Sequence, residues 1–151
     1  MSYGKMLFHY QRTNIETSTG LGLVVMSYEH AIRFLKQAKE HYKNQEYLEK
    51  AKALQRALDI INELQCSLDF EKGKEIATNL DSIYNFLIRT LLEADIKKNL
   101  KDFDHVINIL HELKEVWEQI SRTNLQQETG EGTLLPEEKH HTLHMHASLA
   151  V

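Results

Sequence analysis

The chain has 151 residues and a formal net charge of −4 at pH 7, with 42% apolar and 26% charged residues, as in an ordinary soluble globular domain. Its charges are interspersed, so we expect no nucleic-acid partner. The single cysteine, Cys66, excludes an intramolecular disulfide. We recognise no signal peptide, and the longest apolar run, residues 21–26, is too short to span a bilayer, so we expect a cytosolic chain without membrane insertion.

Residues 21–120 carry a nearly uninterrupted helical pattern. Their only glycines are Gly22 and Gly73, they contain no proline, and apolar residues recur at steps of three and four. Thr17, Ser18 or Thr19 can cap the first helix. Because the links between the helical blocks are short, neighbouring helices must run antiparallel, and the sequence predicts an all-α, up-down-up-down four-helix bundle. The predicted links are residues 43–46, 69–72 and 99–102.

The two ends of the chain depart from this pattern. Met6, Leu7 and Tyr10 fall on one helical face, which predicts a short N-terminal helix over residues 5–11. From Asn124 onward, glycine, proline and clustered glutamate and histidine replace the periodic pattern, which is typical of a disordered tail. The predicted organisation is an N-terminal cap segment (1–16), a four-helix bundle (17–123) and a flexible, His-rich tail (124–151).

Three helical faces are wider than the roughly 100° that packing on one neighbour requires. Leu23 and Phe34 widen the first, and Ile109 and Val116 widen the fourth. Either the bundle simply buries broad faces, or an exposed apolar groove accepts an amphipathic or unstructured partner. The widest arc, roughly 180° on the third helix, comprises Ile76, Ala77, Leu80, Ile83, Tyr84, Leu87, Ile88, Leu91, Leu92 and Ala94.

The sequence contains no catalytic constellation, so we expect neither an enzyme nor a cofactor. Nothing places a histidine beside Cys66, and no Glu-x-x-His occurs at a core position, as a di-iron bundle would require. We expect no structural metal site. In the tail, His140, His141, His144 and His146 belong either to a flexible polar segment or to a weak site for an adventitious or regulatory metal ion.

Four stretches of the sequence resemble the flagellar export chaperone family (FliS), which escorts flagellin in the bacterial cytosol. They are YQRTNIETST at residues 10–19, MSYEHAIRFLKQA at 26–38, ALDIINELQCSLDFEKGKEIATNLDSIYNFLIRTLLEA at 57–94 and LHELKEVWEQI at 110–120. The stretch at 57–94 is the most specific of the four.

The resemblance implies a function and a set of partners. Members of the family are antiparallel helical bundles that bind the disordered C-terminal segment of flagellin, which wraps around the bundle partly as helices in apolar grooves. This keeps flagellin unpolymerised and delivers it to components of the flagellar type III export gate. The alternative is a generic adaptor or dimerising bundle without a flagellin client, whose wide arcs pair with a second copy. A weak homodimer is compatible with both.

The resemblance also implies partner-binding positions. Tyr10 matches an N-terminal tyrosine in a segment that can cover the binding groove, and Leu7 lies one helical turn before it. Tyr28 and Tyr84 match tyrosines of the first and third helices, with Tyr28 either in the core or at the partner. With the wide arcs and an Asn-Leu match at 79–80, the predicted partner-binding residues are Leu7, Tyr10, Ile15, Leu23, Tyr28, Phe34, Asn79, Leu80, Tyr84, Ile88, Ile109 and Val116.

Three motifs depart from the family pattern. Thr19 and Gly20 stand where the family has Ser-Pro ahead of the first helix. His30 replaces a glycine, and Ser27 a leucine, in the family's Leu-Tyr-Asp-Gly, so a side chain fills space that a backbone or ligand could otherwise approach. Before the third helix, Lys74 replaces the second glycine of a Gly-Gly pair.

Overall fold

The computed structural model describes residues 20–130, which form four α-helices and no β-strand. These are α1 (Gly20–Lys43), α2 (Tyr47–Cys66), α3 (Phe70–Lys97) and α4 (Leu100–Gly130). The prediction of an all-α four-helix bundle is confirmed. None of the helices in this part of the chain is long and apolar enough to cross a membrane.

Contacts between neighbouring helices show that the helices run antiparallel. Lys50 of α2 donates to Asp95 of α3 at 2.5 Å, whereas Gln65, further along α2, donates to Asp81, earlier in α3, at 2.9 Å. Both α1 and α3 contact α2 and α4. The helices therefore form a ring, in which the α1–α2 seam and the α3–α4 seam lie on opposite sides. Whereas α1 packs closely along both of its neighbours, α3 approaches its own at fewer places.

The core is built from apolar side chains of all four helices, at the three- and four-residue steps that the sequence predicted. Each fully buried Val, Leu, Ile or Phe side chain among them contributes about 1.5–3 kcal/mol by leaving water. Two residues of the wide arc on α3, Ile76 and Leu92, are not covered by the bundle, since they are 49% and 48% exposed. The largest fully buried residues are Tyr28, Leu35, Ile60, Ile61, Tyr84, Leu87, Leu91, Phe103, Val106 and Leu110.

The exposure of Ile76 follows from the way in which α3 begins. Asp69 caps the helix, since its carboxylate accepts the backbone N–H groups of Glu71 and Lys72 at 3.1 and 3.0 Å. The helical dihedrals are then interrupted at Lys74 (φ 49°, ψ −123°), two residues before Ile76. Residues 70–72, predicted as part of a link, thus form a helical turn, and the regular core stripe starts only after this interruption.

The fourth helix is longer than predicted. It continues past Asn124, where the tail was expected to begin, and ends at Gly130. Glu118 helps the polar end of this helix to persist, because it pairs with Lys114 at 3.6 Å and with Arg122 at 3.5 Å at four-residue spacing. The predicted N-terminal helix, the capping residues 17–19 and the tail histidines lie outside the described residues.

Candidate partner-binding groove

An open apolar groove lies between α3 and α4 and has a volume of about 460 Å³. Phe86 of α3 and Val116 of α4 are 43% and 53% exposed on its walls. Contiguous apolar surface of this kind marks a binding site more often than ordinary surface does. The α3–α4 groove is lined by Ser82, Ile83, Phe86, Ile109, Glu112, Leu113 and Val116.

Helical spacing explains how the sequence forms both walls. Positions 109, 112, 113 and 116 of α4 share one face, as do 82, 83 and 86 of α3, because residues three and four apart lie above one another. The ring of Phe86 is held edge-on against His105, with ring centroids 6.1 Å apart. Since α3 approaches α4 at few places, the space between the two faces stays open.

The structure brings together two of the predicted partner-binding residues, Ile109 and Val116, which lie on the α4 wall. Sequence reasoning missed the opposite wall. Phe86 fell outside the apolar arc drawn on α3, although it follows Ile83 by three residues, and that spacing is the signal that could have identified it. Asn79, on the same helix, is exposed, whereas Leu80 is buried in the core.

The other predicted contacts lie elsewhere. Leu23 and Ile88 are half-buried, on α1 and on a part of α3 outside the groove lining. Phe34 is only 8% exposed and lies beneath two arginine side chains. Leu7, Tyr10 and Ile15 lie outside the described residues, so their positions stay predictions.

Tyr28 and Tyr84 form a buried polar network rather than an open surface. The indole N–H of Trp117 donates to the Tyr28 hydroxyl at 3.1 Å, and the Tyr28 and Tyr84 hydroxyl oxygens lie 2.5 Å apart. Burial raises the pKa of both tyrosines above its usual value, so both stay neutral. The network joins α1, α3 and α4, and its members Tyr84 and Trp117 directly follow the groove residues Ile83 and Val116 in the sequence. In the described conformation these tyrosines support the groove from inside the core.

The groove offers binding chemistry rather than reaction chemistry. Glu112 is the one ionisable residue in its lining. Within residues 20–130, no three His, Cys, Asp or Glu side chains are grouped to hold a metal ion, and Cys66 is exposed. Apolar grooves between helices are typical of proteins that bind a helical or unstructured segment of a partner.

Comparison with known proteins places the chain in a family. Residues 4–124 match the family of the flagellar protein FliS, and the chain belongs to that family. It is 37% identical over 100 residues to the flagellar secretion chaperone FliS of Salmonella typhimurium, covering 66% of this chain and 74% of that protein. It is 31% identical over 121 residues to the flagellar secretion chaperone FliSB of Pseudomonas aeruginosa, covering 78% and 96%. The family resemblance inferred from the sequence is confirmed.

A more distant relative extends the comparison. The chain is 24% identical over 123 residues to the flagellar secretion chaperone FliS of Bacillus subtilis, covering 82% of this chain and 91% of that protein. These relatives support an export-chaperone role for the chain, and FliS is a chaperone family rather than a class of enzymes.

Proposed function

We propose that this protein is a cytosolic export chaperone that binds the C-terminal segment of flagellin in the α3–α4 groove. The bound segment is kept from polymerising and is delivered to the flagellar type III export apparatus. The observation that carries this proposal is the apolar groove, with Phe86 and Val116 exposed on its walls, in a member of a flagellar chaperone family.

The binding mechanism is coupled folding and binding. A disordered segment that orders on a surface of this kind typically buries about 1,000–3,000 Å² and spends several kcal/mol on ordering. Apolar anchors at helical spacing supply the affinity by entering the space between Phe86 and Val116, while Glu112 influences the orientation of the bound helix. Release then requires handover to another protein rather than hydrolysis of a nucleotide.

The N-terminal segment acts in this mechanism as a competitor for the same surface. Leu7, Tyr10 and Ile15 supply apolar side chains that can cover the groove until flagellin displaces them. Removing residues 1–15 then strengthens flagellin binding, whereas Tyr84→Ala weakens it by disturbing the core behind the groove. If neither Tyr10→Ala nor Tyr84→Ala altered affinity in a folded protein, both assignments would be wrong.

The test is a calorimetric titration of the full chain with the C-terminal segment of flagellin from the same organism. We expect saturable one-to-one binding with a negative heat-capacity change, and a loss of affinity of at least ~10-fold for Phe86→Asp and for Val116→Asp, since each places a charge on an apolar wall. The matched control is Ile96→Asp, because Ile96 is 81% exposed on α3 but does not line the groove.

Three results would count against the proposal. Equal affinity for Val116→Asp and Ile96→Asp would show that the client does not use the α3–α4 groove. Absence of binding by both the full chain and the chain lacking residues 1–15 would exclude flagellin as the client. Light scattering that found a tight dimer burying the groove would favour the adaptor alternative.

A further inference from the structure

Two arginines from different helices converge on one aromatic ring. The guanidinium carbons of Arg33 in α1 and Arg56 in α2 each lie 5.5 Å from the centroid of the Phe34 ring. The ring is 8% exposed, whereas both arginines are exposed. Contact with the ring face orders the two side chains and leaves their N–H groups available, which reduces the entropy lost when a ligand binds.

Neither arginine forms an ion pair with a carboxylate of the described residues. Within residues 20–130, no ion pair involves Arg33 or Arg56. Along their own helices, only two acidic residues lie within one turn of either arginine, and both have other partners. They are Glu29, which lies 3.9 Å from Lys114, and Asp59, which accepts from Gln55 at 2.9 Å.

The charge of Arg33 affects a neighbouring side chain. His30, on the same face of α1 one turn earlier, has its pKa lowered by burial and then by the charge of Arg33, which outweighs the opposing effect of Glu29. Lys52, one turn before Arg56, adds a further cation, although this one pairs with Glu49 at 3.4 Å.

We propose that Arg33 and Arg56 form a docking site for an acidic segment of a second protein. Each guanidinium binds a carboxylate through two parallel N–H bonds, and Phe34 holds the pair in place. A short acidic segment fits better than a nucleic acid, because the chain carries a net charge of −4 and the cationic surface comprises two residues rather than an extended stripe.

This site is independent of the proposed groove. Arg33 and Arg56 lie on the α1–α2 seam, and the ring of helices places that seam opposite the α3–α4 seam. One bundle can therefore hold an apolar segment on one side and an acidic partner on the other. The inference goes beyond the proposed function and does not depend on flagellin as the client.

The experiment measures fluorescence anisotropy of a labelled deca-glutamate peptide with the full chain at low salt. We expect the double variant Arg33→Gln/Arg56→Gln to weaken binding at least ~10-fold, since arginines that contact carboxylates dominate such sites. The matched control is Lys72→Gln/Lys101→Gln, which removes two exposed cations elsewhere and should change affinity less than ~2-fold. Arg33→Lys/Arg56→Lys keeps the charge but loses the paired N–H geometry, and we expect an intermediate affinity.

The outcomes distinguish specific docking at the arginine pair from non-specific electrostatic attraction. Equal weakening by the arginine and lysine variants would overturn the proposal, as would no binding of the peptide by the full chain. If a single-stranded oligonucleotide bound the arginine pair more tightly than deca-glutamate did, the partner would be a nucleic acid rather than an acidic protein, which would overturn the proposal. Val116→Asp should leave peptide binding unchanged, so this test can fail without affecting the groove. Circular dichroism checks that each variant is folded.

Discussion

The hydroxyl of Tyr28 links three helices in the middle of the bundle. It accepts a hydrogen bond from Trp117 and shares a second with Tyr84, and Tyr28 itself is 0% exposed. Buried polar groups are tolerated only when they are paired, and this network satisfies all three of its members. Tyr28 therefore stabilises the core of the bundle. We expect a substitution of Tyr28 to change partner affinity only indirectly, by changing the shape of the bundle.

The network predicts different effects for two similar substitutions. Tyr28→Phe leaves both the Trp117 N–H and the Tyr84 hydroxyl without a partner, and we expect a loss of about 2–3 kcal/mol in the free energy of unfolding. Tyr84→Phe leaves the bond from Trp117 to Tyr28 intact and should cost about 1 kcal/mol. Urea denaturation measures both, with Tyr47→Phe, at a 50% exposed residue, as the control. Equal losses at Tyr28 and Tyr84 would contradict the bond pattern.

The same tyrosines make stability depend on alkaline pH. Burial raises the pKa of Tyr28 and Tyr84 in the folded state, whereas in the unfolded chain both ionise near 10. Their contribution is thus fully present below about pH 10 and is lost as the pH rises further, because the unfolded state then releases protons that the folded state retains. Urea midpoints between pH 8 and 11 should fall less steeply for Tyr84→Phe than for the unchanged protein. Parallel curves would contradict this explanation.

At the scale of single elements, the start of α3 contains a residue in an unfavourable backbone conformation. Lys74 has φ 49° and ψ −123°, a region that glycine adopts readily and that side chains with a Cβ avoid. Such a conformation costs of order 1–3 kcal/mol, and it directly follows a turn that the Asp69 cap and the buried Gly73 fix in place. A lysine at this position, where the sequence resemblance implies a glycine, thus has a conformational cost.

A glycine at position 74 should stabilise the protein. We expect Lys74→Gly to raise the free energy of unfolding by about 1 kcal/mol, because the strain is relieved. Lys72→Gly is the matched control, since Lys72 is exposed in the same turn and has no positive φ, and it should lower stability by about 0.5–1 kcal/mol. The two variants are thus expected to change the free energy of unfolding in opposite directions, which urea denaturation measures. A loss of stability in both variants would contradict the strain at Lys74.

At the scale of the whole molecule, the bundle is asymmetric. The helix α1 packs closely against α2 and α4, whereas α3 approaches its two neighbours at fewer places. The apolar groove lies on the loosely packed side, and the arginine pair lies across the bundle on the closely packed side. Regions with few packing contacts open at lower free energy, which suits a surface that must adapt to a partner.

This asymmetry predicts a gradient of local stability. Backbone amides of α3 should exchange with solvent hydrogen faster than those of α1, measured by mass spectrometry on the full chain. Filling the α3–α4 groove with the flagellin segment should slow exchange in residues 82–86 and 109–116 and leave α1 nearly unchanged. Slower exchange in α3 than in α1 would contradict the packing argument.

Several features of the site were predictable from local pattern. Ile109 and Val116 were assigned to a partner surface because they widened the arc of α4, and the structure places both on the groove wall. Phe86 was missed because a residue at the edge of an arc can face either solvent or a neighbouring helix. Phe34 widened the arc of α1 in the same way, yet two arginines cover it.

The sequence by itself determined the four helices of the bundle, their antiparallel order and most of their limits, although not the end of α4, because helical period, breakers and link lengths are local properties of the chain. It also determined the family, through motifs that need no three-dimensional information. Only the tertiary structure decided which wide arcs stay open and which are covered. The physical reason is that a residue's position on a helix sets its direction, whereas its burial depends on the distance and rotation of the helix opposite, which are set by side chains far away in sequence.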